Sequence, residues 1–81
     1  MKLTTRQKAD AGLWLLEEAI LEVIRGSGPM RPSEVRDALG WPEWGGGVAV
    51  GVMAALTANN LLAPDGAQPH PRYSIVPGST H

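Results

Sequence analysis

The 81-residue chain contains no cysteine and no phenylalanine, and no hydrophobic run in it is long. Without cysteine, neither a disulfide framework nor a cysteine-based zinc site is possible. The most apolar stretch, residues 13–24, is interrupted by three glutamates and is too short to span a bilayer. The N-terminus also lacks the basic-then-apolar layout of a signal peptide, so we expect a cytoplasmic protein with no membrane contact.

An excess of charge of either sign is also missing. Seven Lys and Arg residues oppose eight Asp and Glu residues, for a formal net charge of −1 at pH 7. That balance provides no general electrostatic attraction to nucleic acid. Together with 43% hydrophobic residues, it predicts one globular domain over residues 1–81, with a core in about residues 11–78 and a frayed C-terminal tail.

Catalytic and cofactor motifs are absent too. Glu17 and Glu18 are adjacent, so on a helix they point apart and form no acid–base pair. His70 and His81 lie in a Pro-rich loop and in the tail, where two histidines rarely make a metal site. No P-loop or dinucleotide fingerprint occurs, and nothing holds a base beside a nucleophile. We therefore predict no enzyme activity, no metal and no cofactor.

The first helix is indicated by helical spacing of apolar residues. Thr4 and Gln7 have the spacing of a capping box, and Asp10 is a competing N-cap. Gly26 and the Gly28-Pro29 pair end the helix. The predicted core face consists of Leu13, Leu16, Ile20, Val23 and Ile24.

Two shorter helices follow. Ser33 is the predicted N-cap of the second helix, which ends at Gly40. The third begins near Gly46 or Gly47 and ends around the Asn59-Asn60 pair, because asparagine tolerates the left-handed conformation that closes many helices. The predicted inward face of the third helix consists of Ala49, Val52, Met53 and Leu56.

Two short β-prone runs complete the pattern. Residues 61–63 and 72–76 are predicted to pair as a hairpin, with residues 64–71 as its loop and the turn-forming Asp65-Gly66 at the tip. Met30 and Arg31 could form a strand of one or two residues ahead of the second helix.

This order of elements resembles the winged helix-turn-helix superfamily. Residues 28–40 are similar to the family's entry into its second helix, and residues 56–62 to the end of the recognition helix running into the first wing strand. Residues 72–78 are similar to the second wing strand. The resemblance covers roughly residues 11–78 and implies an α+β winged helix, a three-helix bundle with a small antiparallel β-hairpin wing.

The resemblance also implies a function. A small bacterial-type transcriptional regulator would place its third helix in the major groove of double-stranded DNA and its wing against the neighbouring backbone. Ala58 would face outward with the contact residues of the third helix. The implied DNA contacts are Arg31, Ser33, Arg36, Gly46, Gly47, Val48, Val50, Gly51, Ala54, Gln68, His70 and Arg72.

Several of these contacts have a simpler structural interpretation. Arg31 and Arg36 flank the second helix, where Glu34 and Asp37 offer surface pairing in place of phosphate contact. The glycines at 45–47 could present bare amides to a phosphate, or could form a flexible joint. Arg72 is the best single candidate for a phosphate contact, because it is the one basic residue of the wing.

The outward positions of the third helix depart from the pattern of a DNA reader. Arg, Lys, Asn or Gln usually reads base edges, and none of them occurs at these positions. No Lys or Arg lies between Arg36 and Arg72, whereas Glu43 and Asp65 do. One alternative function is therefore a protein–protein interaction module that docks its apolar third helix without binding DNA. A narrower variant keeps DNA as the ligand and reads thymine methyl groups by apolar contact.

Large apolar side chains exceed what one core face needs. Trp14, Leu15 and Leu21 broaden the apolar arc of the first helix, so we expect a homodimer held through this helix. Trp41 and Trp44 flank the turn into the third helix, and at least one is expected to fill the core of a domain without phenylalanine. Trp44 could instead be an exposed anchor for a partner.

Overall fold

A computed structural model describes residues 2–66 and 71–78 of the chain. Within these residues the fold is α+β, with three helices followed by an antiparallel pair of strands. The elements are α1 (Thr5–Ser27), α2 (Pro32–Ala38), α3 (Gly45–Ala58), β1 (Leu62–Asp65) and β2 (Arg72–Ile75).

The capping box at the start of α1 is confirmed. The Thr4 hydroxyl accepts from the Gln7 amide at 3.1 Å, and the Gln7 side-chain oxygen accepts from the Thr4 amide at 2.8 Å. The competing N-cap, Asp10, lies inside the helix and pairs with Arg6 at 3.6 Å. The helix ends at Ser27, because Gly28 adopts a positive φ of 87° and donates its amide to Ile24 O at 2.8 Å.

The core lies where the C-terminal half of α1 meets α2, α3 and β2, and β1 adds Leu62 to it from its place against α3. The predicted inward face of α3 is confirmed. Leu21, which the sequence placed outside the main core face, is instead a core residue with 2% exposure, whereas Leu13 is 43% exposed. The 23-residue α1 is about 35 Å long at roughly 1.5 Å per residue, so it extends past the domain and only its second half is covered. The buried hydrophobic residues of the core are Ile20, Leu21, Ile24, Val35, Ala49, Val52, Met53, Leu56 and Leu62.

The start of α2 differs from the prediction. Pro32 is the first helical residue and Arg31 occupies the N-cap position, so Ser33 lies in the first turn as an exposed residue. Proline suits this first position, since its missing amide would have no intrahelical partner there. Glu34 reaches back and accepts from the Arg31 amide at 2.8 Å, which satisfies the helix start without the Ser33 hydroxyl.

The start of α3 is set by close packing against a tryptophan. The helix begins at Gly45, one residue before the predicted start, and a Cβ atom at Gly45 would lie 2.5 Å from the Cβ of Trp41. Trp41 is half-buried and packs against the core, which confirms that one of the two tryptophans near this turn fills the interior. Trp44, the other one, is 68% exposed.

The end of α3 confirms the role of its asparagines. Asn60 adopts a left-handed conformation with φ of 62°. The Leu61 amide then donates to Leu56 O at 2.9 Å and the Asn60 amide to Thr57 O at 3.0 Å. These two bonds satisfy carbonyls that the helix end would leave without partners, and they direct Leu61 back toward the core.

The β1–β2 hairpin pairs Leu62 with Ile75 and Asp65 with Arg72. β1 therefore begins one residue later than predicted and includes Pro64 and Asp65, which the sequence placed in the loop. The opposite edge of β2 pairs with Met30, one of the two residues expected to form a short strand: Tyr73 donates to Met30 O at 2.8 Å and accepts from its amide at 3.1 Å. Because Tyr73 directs its own amide toward Met30, the missing amide of Pro64 opposite it removes no bond from the hairpin.

Candidate nucleic-acid interface

One face of α3 points away from the core and carries no charged or polar side chain. Its exposed residues define what we call the α3 face, and Val50 among them is 54% exposed. A Cβ atom at either of its two glycines would meet nothing within 4 Å. The surface is therefore flat, and its backbone can be approached closely. The residues of the α3 face are Gly47, Val50, Gly51, Ala54 and Ala58.

Val48, which the resemblance placed among the outward residues, does not belong to this face. It is half-buried and packs against the core cluster. The reason is helical spacing, since Val48 lies one turn before the buried Val52 and next to the buried Ala49. Only part of its side chain is therefore accessible to a ligand.

The amides at the start of α3 are already engaged. Gly45, Gly46 and Gly47 donate to the carbonyls of Pro42, Glu43 and Trp44 at 2.8, 3.2 and 3.3 Å. Tight turn bonds of this kind compete with an incoming phosphate for the same hydrogen atoms. The interpretation in which Gly46 and Gly47 present bare amides is therefore wrong.

Arg36 lies over the start of α3. Its guanidinium Nη1 would be 3.6 Å from a Cβ at Gly46, and its Cδ 3.7 Å. The side chain is 27% exposed, and it pairs with Asp37 through Nη2 at 2.9 Å and Nε at 3.0 Å. The surface pairing predicted for this arginine is confirmed, so a phosphate would have to compete with Asp37.

Arg72 connects the hairpin to α2. Its Nε lies 3.4 Å from Oε1 of Glu34, the same oxygen that accepts from the Arg31 amide. That backbone hydrogen bond above all, and the charge of Arg72 after it, lower the pKa of Glu34, while desolvation acts in the opposite direction. The sequence did not reveal the pair between Glu34 and Arg72, because residues far apart in the chain leave no spacing signal.

The structure thus gathers three arginines around α2, which packs directly against α3. Arg31 and Ser33 are at its start, Arg36 is on its last turn, and Arg72 reaches it from β2. Two of the predicted contacts, Gln68 and His70, lie outside the described residues. The arginines alternate with acidic neighbours, so this side of the domain carries little net positive charge.

Comparison with family models, with curated proteins and with solved structures finds no match to this chain. In the portion of the chain that the structure describes, no helix has the length and hydropathy needed to cross a membrane. What characterises the site is its own chemistry: an uncharged face of α3 and, around the α2 helix that packs against α3, arginines that each lie near a carboxylate.

Trp44 extends the α3 face at its N-terminal end. The positions 44, 47, 51, 54 and 58 follow steps of three and four residues, which places them on one side of a helix. At 68% exposure Trp44 is the most exposed large hydrophobic residue described. Its exposure agrees with the anchor interpretation, in which an aromatic side chain meets a partner.

Proposed function

We propose that this chain is a winged-helix domain that binds double-stranded DNA and acts as a small transcriptional regulator. The α3 face would enter the major groove, with α2 and the hairpin beside the phosphate backbone. The observation that supports this most is the placement of Arg31, Arg36 and Arg72 around α2, the helix that packs against α3. Neutralised phosphates are the main sequence-independent source of affinity for DNA.

The composition of the α3 face sets the kind of recognition. The major groove admits a helix, and apolar side chains there can contact the methyl group of thymine. Val50 and Ala54 are suited to this contact, because both are exposed and their glycine neighbours keep the surface flat. With no hydrogen-bonding side chain on the face, we expect modest affinity and weak sequence preference.

Fluorescence anisotropy with a mixed-sequence duplex at two salt concentrations tests this function. Binding should weaken steeply with salt, and Arg36→Ala should lower the affinity and reduce the salt slope by about one counterion. Asp37→Asn should raise the affinity, because it frees Arg36 from a competing carboxylate. Arg25→Ala, which removes the same charge from the last turn of α1, is the matched control and should have little effect.

Two results would overturn the DNA proposal. One is the absence of any binding at low salt. The other is an equal loss of affinity for Arg25→Ala and Arg36→Ala, which would indicate that net charge alone, and not the surface around α2, determines the binding.

The second candidate function is a protein-docking module that uses the same face without DNA. It is favoured by the exposed Trp44 at the end of a surface that carries no charge, since tryptophan is enriched at binding hot spots. Val50→Glu and Trp44→Ala should both abolish capture of such a partner while the domain stays folded, and Arg36→Ala should not. Capture that survives Val50→Glu, or that is lost with Arg36→Ala, would contradict this function.

A further inference from the structure

The N-terminal half of α1 lies outside the domain. Every residue from 2 to 15 is exposed, and the exposed large hydrophobic residues concentrate here. An exposed helical segment is usually polar. This segment instead exposes several large hydrophobic side chains, as contact surfaces do. Its large exposed side chains are Leu3, Leu13, Trp14 and Leu15.

One row of residues runs along α1 on the side away from the core. Positions 8, 11, 15, 18 and 22 follow alternating steps of three and four residues, the spacing of a seam between paired helices. At about 100° per residue, Leu15 lies nearly opposite the buried Ile20 and Ile24 in helical projection. We call this row the α1 stripe: Lys8, Ala11, Leu15, Glu18 and Glu22.

Gly12 lies beside the middle of the α1 stripe. Glycine within a helix costs stability relative to alanine, and here a Cβ atom would meet nothing within 4 Å. No contact inside the described chain therefore requires a glycine at this position. A second helix packed along the stripe would give this glycine a role, because a glycine lets two backbones approach closely.

Charge changes sign along the α1 stripe. Lys8 lies toward its N-terminal end, where the neighbouring Arg6 is paired with Asp10, and Glu18 and Glu22 lie in its C-terminal half, ahead of Arg25. Within the described residues, none of the ion pairs includes Lys8, Glu18 or Glu22. Glu18 and Glu22 are also four residues apart on one side of the helix, where like charges destabilise it.

We propose that two copies of this chain pair through the α1 stripe in antiparallel orientation. With the two-fold axis near residue 13, Lys8 of each copy lies opposite Glu18 of the other, and Ala11 lies opposite Leu15. Antiparallel pairing therefore brings the basic end of one helix beside the acidic half of the other. A parallel pair would place Lys8 beside Lys8 and Glu18 beside Glu18.

The antiparallel arrangement also fits the position of the domains. The core of each copy lies on the side of α1 opposite the stripe, so the two domains stay on the outside of the helix pair and do not collide. Leu15 lies in the centre of the contact. Leu21, which the sequence assigned to the dimer interface, is buried in the core of its own chain and takes no part.

Sedimentation equilibrium on the full chain without DNA tests the pairing, so its outcome is independent of the DNA proposal. Lys8→Glu and Glu18→Lys should each raise the dimer dissociation constant about tenfold, because each turns two attractive pairs into repulsive ones. An equimolar mixture of these two variants should regain wild-type association, as should the double variant. Circular dichroism should show all of them folded.

Two matched leucines locate the contact on one side of the helix. Leu15→Gln should dissociate the dimer. Leu13→Gln, which changes another exposed leucine (43% against 60%) on the other side of the helix, should leave it intact. Because the chain has no cysteine, orientation can be read from crosslinks. Lys8→Cys mixed with Glu18→Cys should form a disulfide, and neither alone should, since identical positions lie about 15 Å apart along the axis.

Three results would overturn the pairing. The first is a protein that sediments as a monomer at the highest concentration that can be reached. The second is a dimer that neither charge reversal weakens. The third is self-crosslinking of Lys8→Cys alone, which would indicate a parallel pair.

Discussion

The two long helices each bury one side and expose the other, but they differ in how the exposed side is built. The α1 stripe has a basic and an acidic end around one leucine, whereas the α3 face has small apolar residues and no charge. A row of residues that is basic at one end and acidic at the other is complementary to a second copy of itself in antiparallel orientation. A flat uncharged face lets a ligand come close to the helix backbone. Any charge that attracts the ligand must then come from neighbouring elements such as α2 and β2.

The largest expected difference is between a buried and an exposed leucine. Leu56, fully buried at the centre of α3, should cost about 3 kcal/mol of unfolding free energy when changed to alanine, because a cavity remains. Leu15→Ala on the α1 stripe should change the stability of the monomer by no more than about 0.5 kcal/mol. Urea denaturation at low protein concentration measures both. A large loss for Leu15→Ala would mean that the stripe is covered within the chain itself.

Two glycines of α3 should respond in opposite directions to alanine. Gly45→Ala forces a Cβ against Trp41 and should destabilise the domain by about 2 kcal/mol. Gly51→Ala adds a methyl group to the open α3 face and should stabilise the domain by roughly 0.5–1 kcal/mol through helix propensity. The same denaturation experiment compares them. Equal changes in the free energy of unfolding for the two variants would contradict the difference between the packed and the open side of α3.

Gly12→Ala separates helix propensity from association. It should stabilise the monomer by roughly 0.5–1 kcal/mol, as Gly51→Ala does, because both positions are open. It should also weaken the dimer, because the added methyl group keeps the paired helices apart. Denaturation at low concentration and sedimentation at high concentration measure the two effects. Stabilisation together with tighter association would show that the glycine is not part of the contact.

The smallest expected effect is a pH dependence at the junction of α2 and the hairpin. The pKa of Glu34 is lowered in the folded chain, so this carboxylate contributes stability above its unfolded-state pKa and loses it as pH falls through the folded-state pKa. Glu34→Gln should therefore melt at a lower temperature than the wild type at neutral pH, and the difference should disappear as pH falls through the folded-state pKa of Glu34. Thermal melts across this range measure it. A difference that persists in acid would contradict the role of the charge.

Local signals in the sequence were sufficient for the ends of the helices. Thr4 and Gln7 cap α1 through their own side chains, and Gly28 and Asn60 adopt the positive φ angles that end α1 and α3. Each of these features depends on residues within a few positions of each other. The start of α2 was misplaced because Glu34, three residues after Arg31, accepts from the Arg31 amide, and the helix begins at Pro32 without a serine cap.

The candidate site was predicted less well than the fold, because its properties depend on distant contacts. Val48 lies at the edge of the inward face of α3, beside Ala49 and one turn before Val52, and the contacts of that face with the core leave it half-buried. The glycine amides are satisfied by carbonyls of the preceding turn, and Arg72 finds Glu34 across the fold.

By itself, the sequence determined three helices, a hairpin and the inward face of α3, because propensity, capping and periodicity are local properties of the chain. Only the tertiary structure decided which leucines of α1 are covered, since that depends on how far the helix extends past the domain beneath it. It also decided which carboxylate each arginine meets, because ion pairs form between side chains that packing brings together. The resulting exposed surfaces, one uncharged and one divided by charge, are what the proposed contacts with DNA and with a second copy depend on.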